Sequence, residues 1–194
     1  GTELFVRDIY RNPEMVHELL KVSQATALNF IAAVAEAGGV PAIVDPVATG
    51  SIVSPPQFAK FAAPHIKPLI ERIQEIGYPA ILHICGKTHL LLEQMADTGA
   101  NVLSLDRIDL AEAKRRIGNR VCLMGNVRPA ETLLNGTPED VDAEAKECIM
   151  KACDNPAGFI LASGCEVPID TPPENILALM EAASKYGTFP IKIH

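Results

Sequence analysis

The sequence predicts an α/β fold of the (β/α)8 barrel type, of which this chain carries about the C-terminal five β/α units. Two observations lead to this prediction. Five short apolar runs alternate with segments of helical period, which is the pattern of parallel strands joined by helices. Each run is apolar almost throughout, as expected for strands that helices cover on both faces. Because eight units close a barrel, five indicate part of one, and a complete open sheet of five strands is the alternative.

The predicted elements follow one another in strict order. Strands are predicted at residues 40–46, 79–83, 101–105, 120–125 and 158–162. Helices are predicted at residues 12–37, 54–77, 88–97, 109–117, 137–153 and 173–185. The first helix has a typical start, with Asn12 as its cap and Pro13 in its first turn, and Gly38 ends it. Pro64 and Pro68 are expected to bend the second helix.

Composition and charge limit the function classes. The 194 residues are 48% hydrophobic, which allows a substantial core, and 24 acidic against 17 basic residues give a net charge of -7. That balance argues against a nucleic-acid partner, which needs a basic face. No apolar run approaches the roughly 20 residues that span a bilayer, and the start carries no signal-peptide pattern. We therefore expect a single cytoplasmic domain over residues 1–194, without a membrane partner, whose open strand edges favour a homodimer.

The most distinctive pair is His83 and Cys85, in the stretch PAILHICGKTHLLLEQM. Residues i and i+2 of a strand point to the same face, so this strand brings an imidazole and a thiol side by side where it ends. Cys165 follows the last predicted strand at an equivalent strand end. Three such ligands with one open position are typical of catalytic zinc. The residues leave two interpretations open: a shared zinc site, or separate packing at strand ends.

Five longer stretches resemble the uroporphyrinogen decarboxylase superfamily. They are RDIYRNPEMVHELL, DPVATGSIVSPPQFAKFAAPHIKPL, HICGKTHLLLEQMADTGANVLSLD, LMGNVRPAETLLNGTPEDV and ILASGCEVPIDTPPENILALMEAA. They are most similar to its zinc-dependent corrinoid methyltransferase branch, which includes the methylcobamide:coenzyme M methyltransferases and related demethylating enzymes. The resemblance covers essentially the whole chain and the C-terminal half to two-thirds of those proteins. The part of the barrel and the cobalamin-facing surface that they carry in an N-terminal third have no counterpart here.

The resemblance implies a function. In that branch His-x-Cys and a distant Cys bind zinc, and these residues fall on His83, Cys85 and Cys165. The cofactors would be Zn²⁺ and a corrinoid (methylcobalamin) carried by a partner protein. A methyl group would pass between that corrinoid protein and a small thiol such as coenzyme M. The alternatives are a demethylating methyltransferase that acts on a methylated substrate, a uroporphyrinogen decarboxylase-like enzyme without metal, and a non-catalytic binding relative.

Four further residues at predicted strand ends are candidates for the site, because C-terminal strand ends form the sites of α/β folds. Asp106 and Asn126 are the candidate catalytic residues. Asp106 would complete the zinc sphere or bond to His83 from outside it, and Asn126 would hydrogen-bond the substrate or the corrinoid. Asp45 and Arg128 are candidates for cofactor binding, Arg128 by pairing with an anionic group. The same residue types also suit turns and solvated charges.

Overall fold

The computed structural model describes residues 1–188 and 191. His194, for which the sequence indicates no role as a ligand, lies outside the described residues. Within them, strands alternate with helices and the predicted α/β fold is confirmed. The strands are β1 (Ala42–Asp45), β2 (Ile81–Ile84), β3 (Val102–Leu105), β4 (Cys122–Val127) and β5 (Phe159–Ser163). The helices are α1 (Thr2–Arg11), α2 (Pro13–Glu36), α3 (Pro55–Gln57), α4 (Ala63–Glu75), α5 (Leu92–Ala96), α6 (Leu110–Ile117), α7 (Pro138–Ala152) and α8 (Pro173–Tyr186).

The strands form one sheet in the order β1-β2-β3-β4-β5. β1 pairs with β2 in parallel, which places Val44 opposite His83. β4 pairs with β5 in parallel, which places Asn126 opposite Ala162. Parallel neighbours need a crossover connection, and the helices between the strands supply it. The carboxyl ends of each parallel pair therefore lie at the same edge, where the sequence places its polar residues.

Residues Gly1–Leu103 form a first compact unit. In it α1 packs on α2, and α2 packs on α4. Its largest fully buried side chains are apolar and mostly aliphatic, as expected for a core of low aromatic content. They include Phe58, Ile70, Ile73, Leu82, Ile84, Leu91, Leu92 and Met95.

Residues from Ser104 onward form a second compact unit, and the prediction of one domain over residues 1–194 stays a prediction. In this unit α7 packs against α8 and β4. Asn175 on α8 is 1% exposed and donates from Nδ2 to the carbonyl oxygens of Leu133 and Gly136, both at 2.9 Å. This buried amide joins α8 to the segment that precedes α7. No helix of the described residues is long and apolar enough to cross a membrane.

Each predicted strand is present within two residues of its predicted bounds, but β4 is displaced toward the C-terminus. The predicted strand began at Arg120, whereas β4 begins at Cys122. The cause is a turn that closes α6, in which the N–H groups of Arg120 and Val121 donate to the carbonyl oxygen of Ile117. β4 also continues to Val127, so Asn126 lies inside the strand and not after it.

The helices differ from the predictions at four places. Helix α1 was missed, although the apolar pair Phe5 and Ile9 has helical spacing; Asn12 separates it from α2, which begins at Pro13. The helix predicted from Thr88 begins only at Leu92, because the fully buried Thr88 and the turn after it precede the helix. The helix predicted over residues 54–77 is divided by a π-helical segment, Phe58–Ala62, and Pro64 lies in the first turn of α4. A second π-helical segment, Pro129–Leu134, was not predicted.

The contact between α2 and α4 contains a titratable group. Nδ1 of His65 on α4 lies 2.7 Å from Oε1 of Gln24 on α2, and the ring centroids of His65 and His17 are 6.2 Å apart. Burial of His65, followed by the charges of His17 and Lys21, lowers the pKa of its imidazole below 6.5. The folded chain therefore binds this proton more weakly than the unfolded chain does.

We expect the free energy of unfolding to fall as the pH drops below about 6.5 and through the lowered pKa of His65, because protonation then favours the unfolded chain. The variant His65→Gln should lose this part of the pH dependence. Urea unfolding at pH 7.5 and pH 5.5 measures the difference for both proteins. An equal fall in stability in the variant and the unmodified protein would contradict the assignment to His65.

Candidate metal centre

The end of β2 places an imidazole beside a thiol. His83 lies in the strand and is 8% exposed, and Cys85 follows it half-buried. Nε2 of His83 lies 3.3 Å from Sγ of Cys85. Gly86 then turns the chain with a φ of +73°, a value that residues with a side chain rarely adopt. The imidazole and the thiol therefore lie side by side, as the spacing of two residues predicts.

Cys165 completes a three-residue group. It lies two residues beyond β5 and is half-buried, and the N–H of Gly164 before it donates to the carbonyl oxygen of Val127 at 2.8 Å. The ligand atoms of His83, Cys85 and Cys165 lie within 4.8 Å of one another. Among residues 1–188 and 191, no other group of three or more His, Cys, Asp and Glu side chains has this property.

These three side chains fit a zinc ion by donor type and by spacing. Zinc–sulfur bonds of about 2.3 Å and zinc–nitrogen bonds of about 2.0 Å place the ligand atoms of a tetrahedral site roughly 3.5 to 3.8 Å apart. The separation of 3.3 Å within the His83–Cys85 pair and the limit of 4.8 Å for the group are compatible with closure around one ion. Two sulfur atoms and one nitrogen leave a fourth position for a substrate, as in catalytic sites.

The other cysteines lie outside this group. Cys122 is in β4, Cys148 is buried on α7, and Cys153 follows α7. Burial raises the pKa of the Cys122 and Cys148 thiols. Both groups therefore favour the protonated thiol, which is a poor metal ligand.

Asn126 is held by the protein through both hydrogens of its side-chain NH₂ group and through its side-chain oxygen. Nδ2 donates to the carbonyl oxygens of Asp106 at 2.9 Å and Ile108 at 2.6 Å. Oδ1 accepts from Sγ of Cys148 at 3.7 Å. Asn126 thus joins the loop after β3 to β4 and α7. The catalytic roles predicted for Asp106 and Asn126 stay predictions.

Asp45 and Arg128 also have partners within the chain. Oδ1 of Asp45 accepts from the N–H groups of Val47 and Ala48, both at 2.9 Å, which holds the turn after β1. Asp45 also borders an apolar cavity of about 520 Å³ in the first unit. Nε of Arg128 donates to Oε1 of Glu144 at 2.8 Å, and this carboxylate raises the pKa of the guanidinium. Their predicted roles in cofactor binding stay predictions.

The helix residues that contact Asn126 and Arg128 were not identified from the sequence. Cys148 and Glu144 lie on α7, far in sequence from the strand-end residues that they contact. Helical spacing does place both on one face, since they are four residues apart. Nothing in that spacing indicates which strand end the face would meet, so no sequence signal identified their partners.

Relatives of the chain come from two enzyme classes. Methylcobamide:CoM methyltransferase MtaA of Methanosarcina barkeri is 35% identical over 185 residues, which are 94% of this chain and 52% of that protein. Methylcobamide:CoM methyltransferase MtbA of Methanosarcina mazei is 36% identical over 75% of this chain and 41% of that protein. The uroporphyrinogen decarboxylase of Chlorobaculum parvum is 31% identical over 89% of this chain and 50% of that protein. The chain spans about half the length of the curated relatives that it matches.

A solved structure supports the fold. A methyltransferase from Methanosarcina mazei superposes with a TM-score of 0.88 at 30% identity, covering 97% of this chain and 54% of that one. This match confirms the predicted fold class. The family model of uroporphyrinogen decarboxylase (URO-D) matches residues 1–186. The chain therefore belongs to the uroporphyrinogen decarboxylase (URO-D) family.

Proposed function

We propose that this chain carries the zinc site of a methyltransferase that moves a methyl group between a corrinoid protein and a small thiol such as coenzyme M. The observation that supports it most is the group of His83, Cys85 and Cys165, whose ligand atoms lie within 4.8 Å of one another. Similarity to two methylcobamide:CoM methyltransferases adds support for the reaction class. The chain spans about half of those proteins. The proposal therefore has two parts that are tested in turn: first the metal site, then the complete reaction.

The three ligands would have different tasks. When bound, the ion supplies Lewis acidity that turns a substrate thiol into a thiolate at neutral pH. Cys85 and Cys165 bring two negative charges that offset the charge of the cation, so the sulfur of the substrate stays electron-rich. His83 brings a neutral donor, and its burial in β2 fixes the direction of its ring. Asp106 is the candidate for a further ligand in the absence of substrate.

The alternative function is that of a uroporphyrinogen decarboxylase-like enzyme without metal. The uroporphyrinogen decarboxylase of Chlorobaculum parvum is nearly as similar in sequence as the methyltransferases, so identity alone does not decide between the activities. A decarboxylase without metal has no need for two thiols and an imidazole within 4.8 Å of one another. This arrangement is therefore the reason to prefer the methyltransferase.

We expect the purified chain to hold about one zinc ion when zinc is supplied, because three ligands of this type bind zinc tightly. The double variant Cys85→Ser/Cys165→Ser should lose the ion, and Cys153→Ser, whose thiol lies outside the group, should keep it. Elemental analysis of the three proteins measures the zinc. The same proteins are then mixed with free methylcobalamin and coenzyme M, and loss of the methyl group is followed by the absorbance of the corrinoid.

Methyl transfer by the unmodified protein and Cys153→Ser, but not by the double variant, is the result that the proposal predicts. An unmodified protein without zinc after reconstitution would contradict the metal site. Zinc that is bound without any methyl transfer would contradict the claim that this chain carries the reaction by itself.

A further prediction concerns Arg128, which is 59% exposed and paired with the 16% exposed carboxylate of Glu144. The variant Arg128→Gln should lower the free energy of unfolding by about 1 kcal/mol or less and leave the zinc content unchanged. Arg107→Gln is the matched control. Its partner Glu131 is 43% exposed, so this variant should lose less free energy of unfolding than Arg128→Gln. Urea unfolding compares the two. Unchanged stability together with a higher KM for coenzyme M would instead assign Arg128 to anion binding.

A further inference from the structure

We propose that Asn126 is a positioning residue for the Cys165 ligand, acting through Asp106 and Gly164, and that the Cys148 thiol holds Asn126 in place. The inference rests on the proposed function, because it concerns the geometry of the same metal site. It also gives Asn126 a role different from the catalytic one that the sequence suggests. All of the residues concerned lie in the second unit.

The first step is the attachment of the loop after β3 to β4. Nδ2 of Asn126 carries two hydrogens, and they are donated to the carbonyl oxygens of Asp106 and Ile108 at 2.9 and 2.6 Å. A side chain that spends both donors on two carbonyls of one loop restrains that loop in two directions. Asp106 is therefore fixed at its backbone, independently of the contacts that its carboxylate makes.

The second step leads from Asp106 to Cys165. A Cβ atom on Gly164 would lie 3.2 Å from Oδ1 of Asp106, 3.4 Å from its Cα and 3.5 Å from the carbonyl oxygen of Asn126. Gly164 therefore packs closely on both residues, and its N–H donates to the carbonyl oxygen of Val127 at 2.8 Å. Since Cys165 follows Gly164 directly, a displacement of Asp106 or Asn126 would move the backbone that carries the Cys165 sulfur.

The third step is the anchor on α7. Sγ of Cys148 lies 3.7 Å from Oδ1 of Asn126, and Cys148 is 5% exposed. Burial is the largest cause that raises the pKa of this thiol, so it keeps its proton and donates at neutral pH. The thiol also determines which way the amide points, because only the oxygen of Asn126 can accept from it. This explains a buried cysteine that takes no part in the ligand group.

The test uses the full chain loaded with Co²⁺ in place of zinc, because the visible bands of cobalt report the number and angles of its ligands. Asn126→Asp keeps the shape of the side chain but replaces the NH₂ group with a carboxylate oxygen. This oxygen cannot donate to the carbonyl oxygens of Asp106 and Ile108 and is repelled by them. We expect weaker and shifted cobalt bands and an affinity for Co²⁺ about tenfold lower. Asn135→Asp is the matched control, because Asn135 also donates from Nδ2 to a backbone carbonyl, that of Ala130 at 2.6 Å, whereas the atoms nearest to a Cβ on Gly164 belong to Asp106 and Asn126.

Cys148 gives an independent pair of variants. Cys148→Ala removes the donor to Asn126 and should shift the bands, whereas Cys148→Ser replaces it with a hydroxyl donor and should restore them in part. Circular dichroism verifies that each variant is folded. If Asn126→Asp does not fold, the comparison of Cys148→Ala with Cys148→Ser still decides the question.

Bands and affinity in folded Asn126→Asp that equal those of the unmodified chain would overturn the inference, as would equal spectra for Cys148→Ala and the unmodified chain. Neither result would affect the proposed function. An unmodified chain that binds no cobalt would overturn the proposed metal site, and this inference with it. The two failures are therefore distinguishable.

Discussion

The proposed site depends on one constraint, the spacing of His83 and Cys85 at the end of a single strand. Side chains two residues apart along extended backbone share a face, and Nε2 of His83 in β2 lies 3.3 Å from Sγ of Cys85, the residue that follows the strand. The segment after β5 supplies the third residue of the group, Cys165, and the ligand atoms of all three lie within 4.8 Å of one another.

The polar residues near the strand ends therefore divide into two kinds. His83, Cys85 and Cys165 present donor atoms to one another, as metal ligands do. Asp45 and Asn126 spend their polar atoms on neighbouring backbone groups and hold turns and loops. A metal site of this type needs both kinds, since ligands must be held within a few tenths of an ångström while their own side chains stay available.

Local regularities explain how much of this could be predicted. The strands and the His83–Cys85 pair follow from apolar runs and the period of two, which act within a few residues. The contact of Cys148 with Asn126 depends on how α7 packs against β4, and no local pattern encodes that rotation. The apolar pattern also does not show the turn at Ile117 that delays the start of β4, or the burial of Thr88 that precedes the late start of α5.

Zinc X-ray absorption of the reconstituted chain is the decisive measurement, because it identifies the ligands of the ion without reference to any activity. A site formed by His83, Cys85 and Cys165 should give two sulfur neighbours at about 2.3 Å and at least one nitrogen neighbour at about 2.0 Å. One sulfur neighbour should disappear in Cys165→Ser. A spectrum with nitrogen and oxygen neighbours alone, or one that Cys165→Ser leaves unchanged, would contradict a shared site of His83, Cys85 and Cys165.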